Sequence, residues 1–246
     1  MEHEIIGDDM QAVKMKLNKG EIIRAEAGAM MYMEPSIQMD AKMEGGIMGG
    51  LKRALSKESF FITKFTCTGN QGEVCFSGPY PGKIFEVDIS AGKPILCQSD
   101  SYLCSTDGID ISIAFTKRLG AGFFGGEGFI LQKLAGNGKA FLHSGGTVVE
   151  KELALGEKLR VDTGCIVAFD DSVDYDIQMV GGIKTALFGG EGLFLATLTG
   201  PGRVVLQTLP FSRLADRIIS ASRVGRGEVR RGSATSKLIG NIISGD

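Results

Sequence analysis

Tryptophan is absent from this 246-residue chain, proline occurs six times and histidine only twice. With His3 and His143 alone, nucleophile–histidine pairs and histidine metal sites have almost no raw material. The five cysteines, Cys67, Cys75, Cys97, Cys104 and Cys165, are odd in number and show no CxxC spacing. That spacing suggests neither a disulfide framework nor a thiolate zinc site, and reduced, mostly buried thiols are the expectation. Nowhere do 18 apolar residues run together, and Met1 to Gln11 contains no apolar signal-peptide core, so a cytoplasmic protein is predicted. A charge excess is missing too. The 27 basic and 29 acidic residues leave −2, which excludes non-specific binding to nucleic acid or anionic membrane through net charge alone.

What the chain has in excess is glycine, 36 residues, about twice the usual ~7%. An apolar fraction of 43% argues against disorder, and a chain of this length can bury a sizeable core. The glycines follow a pattern. Alternating, strand-like runs at Ala12 to Leu17, Ile84 to Ile89 and Val148 to Leu153 are each followed at a fixed offset by Gly20, Gly92 and Gly156. Second strand-like runs follow at Glu21 to Glu26, Lys93 to Gln98 and Glu157 to Asp162. Further on come Gly69-Asn70-Gln71-Gly72, Gly136-Asn137-Gly138 and Gly200-Pro201-Gly202, each between apolar runs, which predict hairpin turns. Return strands are expected at Val74 to Ser77, Ala140 to His143 and Val204 to Gln207.

These landmarks predict a mainly β chain. The expected domain, residues 1–210, holds three tandem β-sandwich or barrel-like repeats, about 12–79, 84–146 and 148–209, in a pseudo-threefold arrangement. Residues 211–246 read as a basic tail with short helices, from Arg213 to Ser222 and from Ser233 to Ile243. The tail carries seven basic and three acidic residues, so it docks on an acidic body, its own or a neighbour's, or meets an anionic partner.

The sharpest repeated motif is Phe124-Gly125-Gly126-Glu127-Gly128-Phe129 against Phe188-Gly189-Gly190-Glu191-Gly192-Leu193, and it aligns Glu58, Glu127 and Glu191. Basic residues stand just upstream: Lys52 and Arg53, Lys117 and Arg118, and Lys184. A carboxylate beside glycines pairs with turn amides or a neighbouring cation for architectural reasons, or lines a site for a small anionic ligand or nucleic acid. His143 aligns with Ser77 and Gln207, which favours a structural role over general-base work. No phosphate loop is present. The literal GxGxxG at Gly120 to Gly125 lacks the strand-then-helix setting of a dinucleotide fingerprint. No catalytic residue, metal or cofactor is implied. Six of the ten methionines fall between Met30 and Met48, which favours core filling over an adaptable surface for a subunit or a hydrophobic ligand. The run Gly45 to Leu55 is also suited to touching a membrane surface.

The run Gly49-Gly50-Leu51-Lys52-Arg53-Ala54-Leu55, followed by Glu58-Ser59-Phe60-Phe61 and joined with the two GGEG segments, resembles the prokaryotic branch of the altered-inheritance-of-mitochondria family, over about residues 3–210. The resemblance implies a β fold similar to that of the tryptophan-sensing RNA-binding attenuation protein, in tandem repeats. It implies no catalytic residues; the eukaryotic relatives are associated with mitochondrial membrane organisation. Two function classes follow. The first is a non-enzymatic scaffolding or interaction protein, homo-oligomeric through its β edges and methionine-rich face. The second is a binding module for a small anionic ligand or nucleic acid, supported only by fold analogy, so nucleic acid is not the expected partner.

Overall fold

A computed structural model describes residues 1–41, 62–90, 92–117, 129–179 and 194–221. The chain divides into two compact units, Met1–Pro210 and Phe211–Asp246. In the second, residues 211–221 form a helix, in place of the helix expected from Arg213. The second expected helix lies outside the described residues.

The first unit is built from strands. A leading strand β1 (Glu2–Ile6) precedes β2 (Ala12–Asn18), β3 (Ile22–Glu26), β4 (Met30–Met33), β5 (Ile37–Ala41), β6 (Ile62–Cys67) and β7 (Gln71–Ser77). Then come β8 (Gly82–Ile89), β9 (Ile95–Gln98), β10 (Tyr102–Thr106), β11 (Ile109–Lys117), β12 (Phe129–Gly136) and β13 (Gly138–Gly145). The last are β14 (Val148–Leu153), β15 (Lys158–Asp162), β16 (Ile166–Asp170), β17 (Asp174–Met179), β18 (Phe194–Thr199) and β19 (Gly202–Gln207). Alternation decides which face is buried: in β2, Val13, Met15 and Leu17 point into the core while Lys16 is exposed.

Four sheets result, ordered β1-β2-β7-β4, β5-β6-β3-β10-β13-β8, β11-β12-β9-β16-β19-β14 and β15-β18-β17. None closes into a barrel, so of the expected sandwich or barrel-like modules the open, packed sheets are what forms. The pairings fall into sets. β2, β8 and β14 pair with β7, β13 and β19. β3, β9 and β15 pair with β6, β12 and β18, and β5, β11 and β17 take the other edges of those strands. β4, β10 and β16 lie on β7, β13 and β19, and each skips one residue of its register: Met31, Leu103 and Val167. Two further pairings, β3 with β10 and β9 with β16, join one run of six strands to the next.

Three apolar cores lie between successive sheets. The first includes Phe65, Phe76, Leu103 and Phe141. The second includes Ile109, Leu134, Leu142 and Val167, and the third Phe129, Phe169, Val173 and Leu198.

The glycine turns are not hairpins. β6 and β7, β12 and β13, and β18 and β19 each belong to different sheets, so the chain at these turns crosses from one layer to the other. Close approach is what they need. A Cβ on Gly136 would lie 2.2 Å from the Gly108 carbonyl oxygen. Gly20, Gly92 and Gly156 are glycine for another reason: their φ values are +83°, +81° and +77°, with open space around each, so the backbone and not crowding excludes a side chain.

Candidate functional site

The glutamate and basic positions singled out in the sequence, Glu58, Glu127, Glu191, Lys52, Arg53, Arg118 and Lys184, lie outside the described residues, as does Gly45 to Leu55. Lys117 is the last residue of β11, with Phe129 of β12 as its register partner. The neighbouring strand ends are placed alike. Ala41 faces Thr63 across β5 and β6, and Met179 faces Phe194 across β17 and β18.

His143 is fully enclosed. Its ring meets Tyr80 edge-on at 4.7 Å between centroids, and Gly78 and Gly82 leave the space it occupies. Burial holds the imidazole below its ordinary value, against a backbone hydrogen bond with Tyr80. It is a neutral core residue, with no nucleophile among its recorded neighbours. Gln207 fills its level in β19 as a clamp: its Oε1 accepts from the Gly145 amide at 2.7 Å and its Nε2 donates to the Gly164 carbonyl at 2.8 Å.

The thiols offer little chemistry. None of the five is in a disulfide, and burial pushes Cys97 and Cys104 well above the usual thiol range, which keeps those two protonated and unreactive. Among the described residues no three His, Cys, Asp or Glu side chains gather as metal ligands. No described helix is long and apolar enough to cross a membrane.

What stands out is an edge. β4 closes one side of its sheet, and among the described residues no strand pairs with its outer side. Met30 packs on the first core, but Met31, Tyr32 and Met33 are 56%, 37% and 36% exposed, and Met39 is exposed nearby. The tyrosine hydroxyl donates to Glu73 Oε1, and this hydrogen bond to a carboxylate pushes its pKa up to about 12. Glu34 lies at the end of the strand, where its Oε2 accepts from the Glu73 amide at 3.0 Å. Two carboxylates thus border an apolar strip. The sequence favoured core filling for these methionines; the structure turns one inward and leaves the next residues on the surface.

Another edge strand with no outer partner among the described residues is β15, at the rim of the three-stranded sheet. Its outward positions include Lys158 and Arg160, both exposed, while Leu159 packs at the margin of the third core. An apolar, acid-bordered edge and a basic edge therefore occupy opposite ends of the sheet series.

A family model described as "Mitochondrial biogenesis AIM24" matches residues 3–209. An uncharacterised protein of Streptococcus pyogenes serotype M6 is 26% identical over 212 residues, spanning 82% of this chain and 83% of the relative. A Streptococcus pyogenes protein solved by X-ray crystallography has the same fold, with a TM-score of 0.75 and 22% identity, over 89% of this chain and 99% of that one.

Proposed function

This chain belongs to the AIM24 family, and on that premise we propose that it is a non-enzymatic interaction protein that works as a homo-oligomer of three-unit chains. Each unit is a six-strand copy of one module, β2 to β7, β8 to β13 and β14 to β19. The recurrence of the same four pairings and of the skipped residue in β4, β10 and β16 supports this reading. The observation that carries the oligomer is β4, an edge strand with an exposed apolar strip. A strand with free amides and carbonyls and an apolar face is a template for another strand, and a methionine-rich one adapts to its partner. Five cysteines, none of them in a disulfide, support a cytoplasmic location, where thiols persist in reduced form.

The test is a native mass. Light scattering across micromolar concentrations is expected to give a multiple of 26.2 kDa. A single-chain mass throughout that range would remove the oligomeric reading.

A further inference from the structure

We propose that β4 of one chain pairs antiparallel with β15 of a second copy, so that chains join head to tail and the four-stranded and three-stranded sheets merge into one. The proposal rests on the oligomeric reading above and specifies its interface.

Two junctions inside the chain already pair strands in this way. β10 lies on β3 with Cys104 opposite Ala25, Ser105 opposite Arg24 and Thr106 opposite Ile23. β16 lies on β9 with Ala168 opposite Cys97, Phe169 opposite Leu96 and Asp170 opposite Ile95. In both, the strand that skips a residue against its own sheet partner is the strand that reaches the preceding unit. Three strands carry that skip, but only two have a preceding unit in the chain. β4 is the third. Likewise β3, β9 and β15 share one pairing with β6, β12 and β18, and only β15 has no following unit. Among the described residues one strand of each kind is therefore left without its junction partner, and a second copy supplies the complement of both.

Burial points the same way. Leu103 and Val167, the skipped residues of the internal junctions, are 1% and 0% exposed and sit in the cores of the units that precede them. Met31 holds the same place in β4 and is the most exposed residue of that strand. Applied to β4 and β15, the rule places Tyr32 opposite Val161, Met33 opposite Arg160 and Glu34 opposite Leu159. Met31 then covers the third core of the other chain, in the place that Leu103 and Val167 hold at the internal junctions. The contact is heterologous, so its repetition yields a closed ring or a filament and not an isologous dimer.

Cysteine cross-linking of the full chain tests the register. Protein carrying Met33→Cys is mixed with protein carrying Arg160→Cys under mild oxidation. The expected product is a covalent species of twice the chain mass in the mixture and none in either protein alone. Light scattering of Met31→Lys, which plants a charge on the exposed strip, is expected to show a single-chain mass with an unchanged circular dichroism spectrum. If Met31→Lys does not fold, Met33→Lys, which sets a like charge directly opposite Arg160 of the other chain, takes its place with the same expected loss of mass. An oligomer that forms no cross-link overturns this interface and leaves the oligomeric reading standing. A disulfide that forms within one chain of the double mutant at single-chain mass overturns both, because the two edges then close on each other.

Discussion

The chain passes from one run of six strands to the next at two junctions, and in its first and last sheets it leaves the edge strands β4 and β15, whose outer sides have no partner among the described residues. At the junctions, β3 with β10 and β9 with β16, nearly every residue is buried. At the edges, three of the four residues of β4 are exposed, and in β15 only Val161 is buried. The backbone pairing is common to both; what differs is the presence of a neighbour. A junction is stable because each strand it joins satisfies the other's amides and covers the other's core. At β4 and β15 no strand among the described residues meets the outer amides, and the proposed pairing with a second copy would meet them.

This contrast can be broken most severely at a junction core. Leu103→Ala removes a fully enclosed side chain from the first core and should cost about 2 to 5 kcal/mol, whereas Met31→Ala should leave the stability of the single chain unchanged; urea denaturation at low protein concentration compares the two. Next in size is the junction arginine. Arg24 is buried and its Nη1 donates to the Ile109 carbonyl at 2.6 Å, while Tyr102 donates its hydroxyl to the Arg24 carbonyl at 3.0 Å. Arg24→Ala loses the bond to Ile109 and the packed stem, about 1 to 3 kcal/mol. Arg160→Ala, on the open edge, should lower assembly and not the unfolding midpoint of the single chain.

A smaller effect tests the seam at His143. Its folded pKa lies below the ordinary 6.5, so as pH falls through that value the unfolded chain takes up a proton that the folded chain refuses. Stability is thus full above about 6.5 and declines below it, by at most about 1.4 kcal/mol per pH unit. His143→Gln, which borrows the residue found in β19, should flatten the fall in thermal midpoint between pH 7 and pH 5. The smallest effect sharpens the description of the edge itself. All four tyrosines are raised, Tyr80, Tyr102 and Tyr175 chiefly by burial and Tyr32 chiefly by its bond to Glu73. Glu73→Gln should therefore bring the exposed tyrosine back toward 10 in an ultraviolet titration and leave Tyr102 where it is.

Much of the strand content was legible in the sequence. Val148 to Leu153 is β14 to the residue, and Ala12 to Leu17 falls one short of β2, because apolar–polar alternation reports a half-buried strand directly. The glycines after these strands were legible for the same reason, since a positive φ restricts the residue type. β1 was not: Glu2, His3 and Glu4 look like a solvated terminus, and only their pairing with Lys16, Met15 and Lys14 makes them a strand. The turns at Gly69 and Gly136 were misread as hairpins because local sequence specifies a tight turn without saying which sheet the next strand joins. The exposed strip of β4 was hidden by its own composition. Methionine and tyrosine suit a core and an interface equally well, and only the empty outer edge of β4 tells them apart.

Hydrogen exchange at the two edges tests the central claim most directly. With the outward amides of Met31 to Glu34 and Lys158 to Asp162 followed over a dilution series, the account predicts protection at high concentration that approaches that of β10 and β16, lost in both strands together on dilution and lost in Met31→Lys at every concentration. Fast exchange in both strands at all concentrations would contradict it, and so would protection that persists at a single-chain mass.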